Sequence, residues 1–314
     1  METNPVTLSP TDDRSSALAL SLCSPGLCLS EIVCGDNVAV MKTWPDSCID
    51  LVVTSPPYDN LRTYGGHTWD FEGVARELTR VLKPGGVIVW VVADATVNGS
   101  ETLTSMRQAI HFKDVCGLRV HDTMIYKTNK PPLTHNRYEQ CWEYMFVFSK
   151  GAPSKWNPLK EPSKYAGQKR CATMRQDGDN LSNRSAKGVV RDEKQKENIW
   201  YLPRSSHSDG AERRAHPATF PLSLARDHII SWSNEGDVVL DPFAGSGTTC
   251  LAARDAGRKY VGIEINPEYV EIINRRLGLA NKGVRRNAIS ASWAIGAQLL
   301  ASSAMRGSGQ VSTV

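Results

Sequence analysis

Thr54-Ser55-Pro56-Pro57-Tyr58 directly follows the apolar run Ile49 to Val53. A short polar and aromatic tip at the C-terminal end of a buried strand is where open α/β sheets carry out their chemistry. The Ser55 hydroxyl and the Pro56 carbonyl can each accept one N–H hydrogen of an amine. Proline suits this place because its fixed φ and missing N–H hold the flanking carbonyls outward, and Tyr58 supplies a flat surface for a planar ring. The bland alternative is a Ser-Pro-Pro turn that merely ends a strand.

Val238-Val239-Leu240 runs into Asp241-Pro242-Phe243-Ala244-Gly245-Ser246-Gly247-Thr248-Thr249, which reads as a second strand, a glycine turn and the start of a helix. Backbone stripped of side chains at such a turn can approach a nucleotide-like cofactor closely. The third spaced glycine of a dinucleotide fingerprint is absent, so hydride transfer is a poor reading. Glu264 ends the next apolar run, where an acidic side chain can accept two ribose hydroxyls. Asp36, in Cys34-Gly35-Asp36-Asn37, has as its bland alternative a turn aspartate after a strand.

The elements that must position these residues recur through the chain. Strands are expected over Glu31 to Cys34, Ile49 to Val53, Val87 to Val92, Thr123 to Tyr126, Tyr144 to Phe148, Val238 to Leu240 and Tyr260 to Ile265. Several are apolar throughout, as strands covered on both faces are. Helices are expected over Phe71 to Leu82, Pro217 to Trp232 and Pro267 to Leu277, the first stopped by Lys83-Pro84-Gly85-Gly86. Strands alternating with helices imply an α/β fold with a doubly wound, mostly parallel sheet.

The two motifs in this order resemble the DNA amino-methyltransferases of the β group, over roughly Glu31 to Leu277. The resemblance implies S-adenosyl-L-methionine (AdoMet) as cofactor and double-stranded DNA as substrate, methylated on an exocyclic nitrogen of an extruded base. It assigns catalysis to Ser55, Pro56, Pro57 and Tyr58, and the cofactor to Asp36, Thr54, Asp241, Pro242, Phe243, Gly245, Ser246, Gly247, Thr248, Thr249 and Glu264. It also places His216, Pro217 and Phe220 on the methionine end of AdoMet, and the region from 152 to 207 becomes a target-recognition insert. Candidate DNA contacts are Asn60, Arg62 and Tyr64 after the catalytic turn, Arg137, and Lys169, Arg170, Arg175, Arg184, Lys187 and Arg191 in the insert. Adenine N6 and cytosine N4 are attacked by the same device, but the stretches Ser55 to Gly66 and Arg137 to Gly151 most resemble solitary and phage-borne methyltransferases, which slightly favours adenine. A DNA-binding module without catalysis is the rival, and it would need neither the catalytic turn nor Glu264.

Composition is compatible with this. The chain has 314 residues and a net charge of +4. Residues 152–214 carry 14 Lys and Arg against 8 Asp and Glu, or +6, which leaves −2 for everything else. Phosphate neutralisation needs such a region, although charged runs are also ordinary solvated faces. The eight cysteines are scattered without the paired spacing of a zinc site, so no metal is expected. No run approaches the roughly 18 apolar residues of a membrane span, so a cytoplasmic protein is expected, nucleoid-associated through the DNA that the resemblance implies. The chain divides into a flexible start (1–29), a catalytic half (30–151), the insert (152–207), a cofactor half (208–282) and a tail (283–314), with a homodimer as the expected assembly.

Overall fold

The computed structural model of the protein describes residues 27–57, 69–129, 138–170, 173–177, 180–184, 188–202 and 220–279. Its centre is an eight-stranded sheet. In chain order the strands are β1 (Glu31–Cys34), β2 (Ile49–Thr54), β3 (Leu82–Val92), β4 (Arg119–Lys127), β5 (Trp142–Ser149), β6 (Ile199–Tyr201), β7 (Val238–Asp241) and β8 (Lys259–Glu264). Their spatial order is β1-β8-β7-β2-β3-β5-β4-β6. Only β5 runs against the rest of this sheet, pairing antiparallel with both β3 and β4. The expected doubly wound, mostly parallel sheet is therefore present.

Among the described residues six helices cover the sheet: α1 (Asn37–Met41), α2 (Phe71–Val81), α3 (Thr104–Asp114), α4 (Leu222–Trp232), α5 (Thr248–Asp255) and α6 (Pro267–Arg276). One core cluster joins Leu51, Val53, Val89 and Val239 to Leu224, Ile229, Ala253 and Ile273 of α4, α5 and α6. The other joins Val52, Ile88, Trp90 and Leu240 to Met41, Leu78 and Phe112 of α1, α2 and α3. Adjacent residues of one strand thus feed opposite cores, which is why these strands are apolar without alternation.

Several expectations are corrected in detail. The helix placed from Pro217 begins at Leu222, with extended Pro221 as its N-cap (ψ 145°), because proline disfavours the helical region for the residue before it. Lys83-Pro84-Gly85-Gly86 does end α2 but is no separate turn. These residues belong to β3, where the register with β2 jumps between Ile49/Leu82 and Leu51/Val87 and Gly85 takes φ +77°. At the margin of the region from 152 to 207, Ile199–Tyr201 form β6, in parallel register with β4. Trp200 is buried there, and Trp156 packs on Trp232 with centroids 4.5 Å apart. No helix among the described residues is long and apolar enough to cross a membrane.

Candidate active site

The sheet changes direction of travel between β7 and β2. From β7 the chain passes through α5 to β8 on one side, and from β2 through α2 to β3 on the other. Connections that diverge in this way leave a crevice at the C-terminal ends of the two strands, the usual ligand site of open α/β sheets. Thr54 and Asp241 end those strands. Their side chains meet across the crevice, the Thr54 hydroxyl donating to Asp241 Oδ1 at 2.7 Å. The Thr249 hydroxyl, on the first turn of α5, donates to the Val53 carbonyl at 3.1 Å. The cofactor-type turn and the catalytic-type turn, 187 residues apart in sequence, are thus pinned together. Ser55 and Pro57 follow half-buried, with Pro56 buried between them.

The turn after β7 is shaped by two glycines in the left-handed region, Gly245 at φ +54° and Gly247 at φ +78°. A Cβ on Gly247 would stand 2.7 Å from Ile273 Cγ2, so the close approach of α6 also demands glycine there. Ser246 is fixed by Arg276, whose guanidinium donates to its hydroxyl (3.0 Å) and its carbonyl. Pro242 is held through its carbonyl, which accepts from the Asn37 amide at 3.1 Å. Phe243 is half-buried, with Trp69 edge-on at 5.1 Å and Trp90 at 6.4 Å.

Two carboxylates lie in this crevice. Asp241 accepts from Thr54 and from the Phe243 N–H (3.1 Å), yet burial pushes its pKa up to about 6. Glu264 ends β8 and accepts from the Gly245 N–H at 2.8 Å through Oε2 and from the Asn266 N–H at 2.9 Å through Oε1. Burial pushes it up to about 7, against those backbone donors. Shifted carboxylates in a crevice mark functional sites more often than structural ones. The Ile265 N–H is a third backbone donor to this carboxylate, and of its roughly four lone-pair sites one is left to receive a hydroxyl. Bare glycine backbone, a carboxylate pair and an aromatic ring beside the turn fit the ribose and methionine ends of AdoMet.

Asp36 lies on the same sheet edge, at the end of β1. It is exposed and caps α1, accepting from the Ala39 N–H at 2.8 Å through Oδ1. Thr248 is buried beside Ser246, their hydroxyls 3.5 Å apart. Phe220 packs half-buried on the core just before α4. Tyr58, Asn60, Arg62, Tyr64, Arg137, Lys187, His216 and Pro217 lie outside the described residues. Lys169, Arg170 and Arg191 are exposed, and Arg175 and Arg184 lie on paired strands.

Sequence reasoning missed Trp69, Asn37 and Arg276. The first two flank singled-out motifs, but only the fold shows that they reach the Asp241 turn. It also missed the residues that anchor the opposite end of the two strands, at the base of the sheet. Asp50, at the start of β2, receives Lys83 (2.7 Å), Lys155 (2.8 Å) and the Val238 N–H (3.0 Å), and Lys155 continues to Asp237 at 2.6 Å. These contacts hold the Asp50 carboxyl below the usual carboxylate range despite its burial.

Comparison with known proteins decides the family. A family model described as DNA methylase matches residues 49–275, which contain both turns. The chain belongs to the N6/N4 DNA methylase family. The orphan methyltransferase M.BamHII of Bacillus amyloliquefaciens is 47% identical over 239 residues, covering 74% of this chain and 89% of that protein. The DNA adenine methyltransferase YhdJ of Escherichia coli is 29% identical over 286 residues, covering 80% of this chain and 83% of YhdJ. Among solved structures, the DNA modification methylase TTHA0409 of Thermus thermophilus, complexed with S-adenosyl-L-methionine, is 25% identical with a TM-score of 0.54, covering 82% of this chain and 96% of that one. This methylase is therefore a DNA amino-methyltransferase in family and a doubly wound α/β protein in fold, as the two motifs imply.

Proposed function

We propose that the chain transfers a methyl group from AdoMet to the N6 nitrogen of an adenine turned out of duplex DNA. The observation that carries this reading is the Thr54 to Asp241 contact, because it sets the Ser55-Pro56-Pro57 turn against the cofactor turn in one crevice. AdoMet, when bound, supplies the electrophilic methyl carbon.

The residues of the chain do the rest. Glu264 receives a ribose hydroxyl, while Asp241, Phe243 and the backbone of Gly245 to Gly247 hold the methionine end. Ser55 Oγ and the Pro56 carbonyl accept the two N–H hydrogens of the target amine, which draws its lone pair out of the ring and stabilises the positive charge that grows on nitrogen. The sulfonium of AdoMet would be the leaving group as the amine takes its methyl, and the surplus N–H proton would leave to solvent from the side held by Ser55. Tyr58 stacks on the base, with Asn60, Arg62, Tyr64 and Arg137 next to the extruded nucleotide. Lys169, Arg170, Arg175, Arg184, Lys187 and Arg191 carry the remaining DNA contact. The enzyme works as a homodimer in the cytoplasm, on the chromosome.

Adenine is favoured over cytosine by the likeness to YhdJ, whose name specifies adenine. The test is direct. DNA incubated with the protein and AdoMet is digested to nucleosides, and the modified nucleoside is identified by mass. N6-methyladenine is expected. N4-methylcytosine would overturn the choice of base, and unmodified DNA would overturn the reaction.

A further inference from the structure

Trp69 stands half-buried just before α2, outside the set of residues that hold the cofactor or the base. Its backbone is set by the start of the helix. Asp70 is the N-cap and accepts from the Gly73 N–H at 2.9 Å, and a Cβ on Gly73 would stand 2.2 Å from Asp70 Oδ2, so glycine there is what lets the cap close. An apolar residue before the cap commonly packs on the fourth residue of the helix, here Val74. A leucine would serve that purpose.

The rings around Trp69 ask for an aromatic side chain. Trp69 lies 5.1 Å from Phe243 at an interplanar angle of 80°, and 6.3 Å from Trp90. Trp90 in turn lies 6.4 Å from Phe243 at 75°, so the three rings close a triangle. Each corner belongs to a different element. Phe243 sits in the cofactor turn with its N–H on Asp241 Oδ1, and Trp90 of β3 is paired in register with Thr54 of β2. The triangle therefore spans the same two strands that the Thr54 to Asp241 contact pins.

Trp90 is a fixed post, fully buried and donating its Nε1–H to Gln108 Oε1 of α3 at 2.9 Å. Phe243 is only half-buried on a turn, and two nearly perpendicular neighbours leave its ring few orientations, since aromatic pairs hold preferred geometries. The direction it faces bears on the cofactor, because AdoMet carries a sulfonium. The face of an aromatic ring attracts a cation, more strongly where water is excluded. Asp241 Oδ1 is already engaged by the Thr54 hydroxyl and the Phe243 N–H, which leaves the ring well suited to that charge.

We propose that Trp69 is a positioning residue for the cofactor: together with Trp90, its indole turns the Phe243 ring so that a face of that ring meets the sulfonium of AdoMet. The proposal rests on the reading of Phe243 as a contact of the methionine end. The test therefore compares AdoMet with S-adenosylhomocysteine, which lacks the methyl group and the positive charge. Both are titrated calorimetrically into the cofactor-free protein and its variants. Thermal melts without ligand show that each variant is folded.

Trp69→Leu keeps an apolar residue at the helix start and removes the ring. Its AdoMet affinity should fall on the order of 5-fold or more, while its S-adenosylhomocysteine affinity stays within about two-fold of wild type, because only the cation gains from the ring face. Trp69→Phe should recover most of the loss. Phe243→Leu should show the same selective loss, and the double variant Trp69→Leu with Phe243→Leu should be no worse than Phe243→Leu alone, as for two residues that act through one contact. Should Trp69→Leu not melt cooperatively, Trp69→Met takes its place, since methionine fills irregular gaps. A ratio of the two affinities within about two-fold of wild type in the Trp69 variant, beside a changed ratio in Phe243→Leu, overturns the proposal while Phe243 keeps its role. An unchanged ratio in both variants overturns the reading of Phe243 as well.

Discussion

At the scale of single residues, the catalytic turn and the carboxylates make separable predictions. Ser55→Ala should slow single-turnover methyl transfer by a factor that reflects on the order of 3 kcal/mol, because an acceptor used mainly in the transition state stabilises that state more than the bound substrate. AdoMet affinity should stay near that of the wild type in calorimetry. Transfer within a few-fold of wild type would remove Ser55 from its role. Glu264 predicts a pH effect on the cofactor-free protein. Its pKa rises from an ordinary value of 4.5 to about 7 on folding, so the folded protein holds a proton that the unfolded chain has released between those values. The stability this contributes is full below about pH 4.5 and is lost as pH rises through 7, at most about 3 kcal/mol across the window. Thermal melts should therefore show wild type losing stability relative to Glu264→Gln between pH 5 and 8. His228 acts in the opposite sense, because burial lowers its pKa from 6.5 to about 3 and its share is lost as pH falls below 6.5. The comparison with Glu264→Gln cancels that term, and an identical pH profile in both proteins would contradict the prediction.

At the scale of elements, the turn between β7 and α5 is the most demanding piece of backbone. Gly247→Ala places a Cβ 2.7 Å from Ile273 Cγ2 on a residue at φ +78°, combining left-handed strain with overpacking. Together these should cost about 2 to 4 kcal/mol in denaturant unfolding, with weaker AdoMet binding as α6 is displaced. A loss under about 1 kcal/mol would show that α6 yields freely. This turn was legible from residue types alone, and so were β2, β7, β8 and α2, because buried parallel strands and a capped amphipathic helix leave local patterns. The helix α3 was not legible. Its N-cap, Leu103, has φ +53° and no capping side chain. The orphan N–H of Ser105 is instead satisfied by Asp94 at 2.8 Å, with the Ser105 hydroxyl on the other carboxylate oxygen at 2.6 Å. A cap drawn from 11 residues upstream leaves no local signal. Lys155 was hidden for the same reason, since Asp50 and Asp237 reach it only through the fold.

At the scale of the whole molecule, the insert has two physical regimes. Its margins belong to the core: Lys155 and Asn157 hold the base of the sheet and the end of α4, Trp200 is buried in β6, and Lys196 pairs with Asp227 at 3.0 Å while lying 4.2 Å over the Trp200 ring. Between them, none of residues 163–170 and 188–195 is buried. A deletion from Lys169 to Lys196 would therefore remove Lys196 and the strand Glu193–Gln195 that pairs with Lys160–Pro162, and confuse recognition with folding. The informative cut replaces residues 164–191 with an Asn-Gly turn, since Ser163 and Asp192 are already joined by a backbone hydrogen bond of 2.7 Å and such a turn closes a two-residue hairpin. The shortened protein should bind AdoMet within a few-fold of wild type in calorimetry, because Asp241, Gly245 to Gly247 and Glu264 stand on strands it does not touch. It should no longer distinguish its methylation site from a scrambled duplex in anisotropy, and its binding should depend less on salt, as fewer counterions are released. Retained discrimination would move sequence reading to Asn60 to Asp70. Lost AdoMet binding would mean that the replaced stretch supports the crevice from a distance, and that the core and the recognition element fold as one unit.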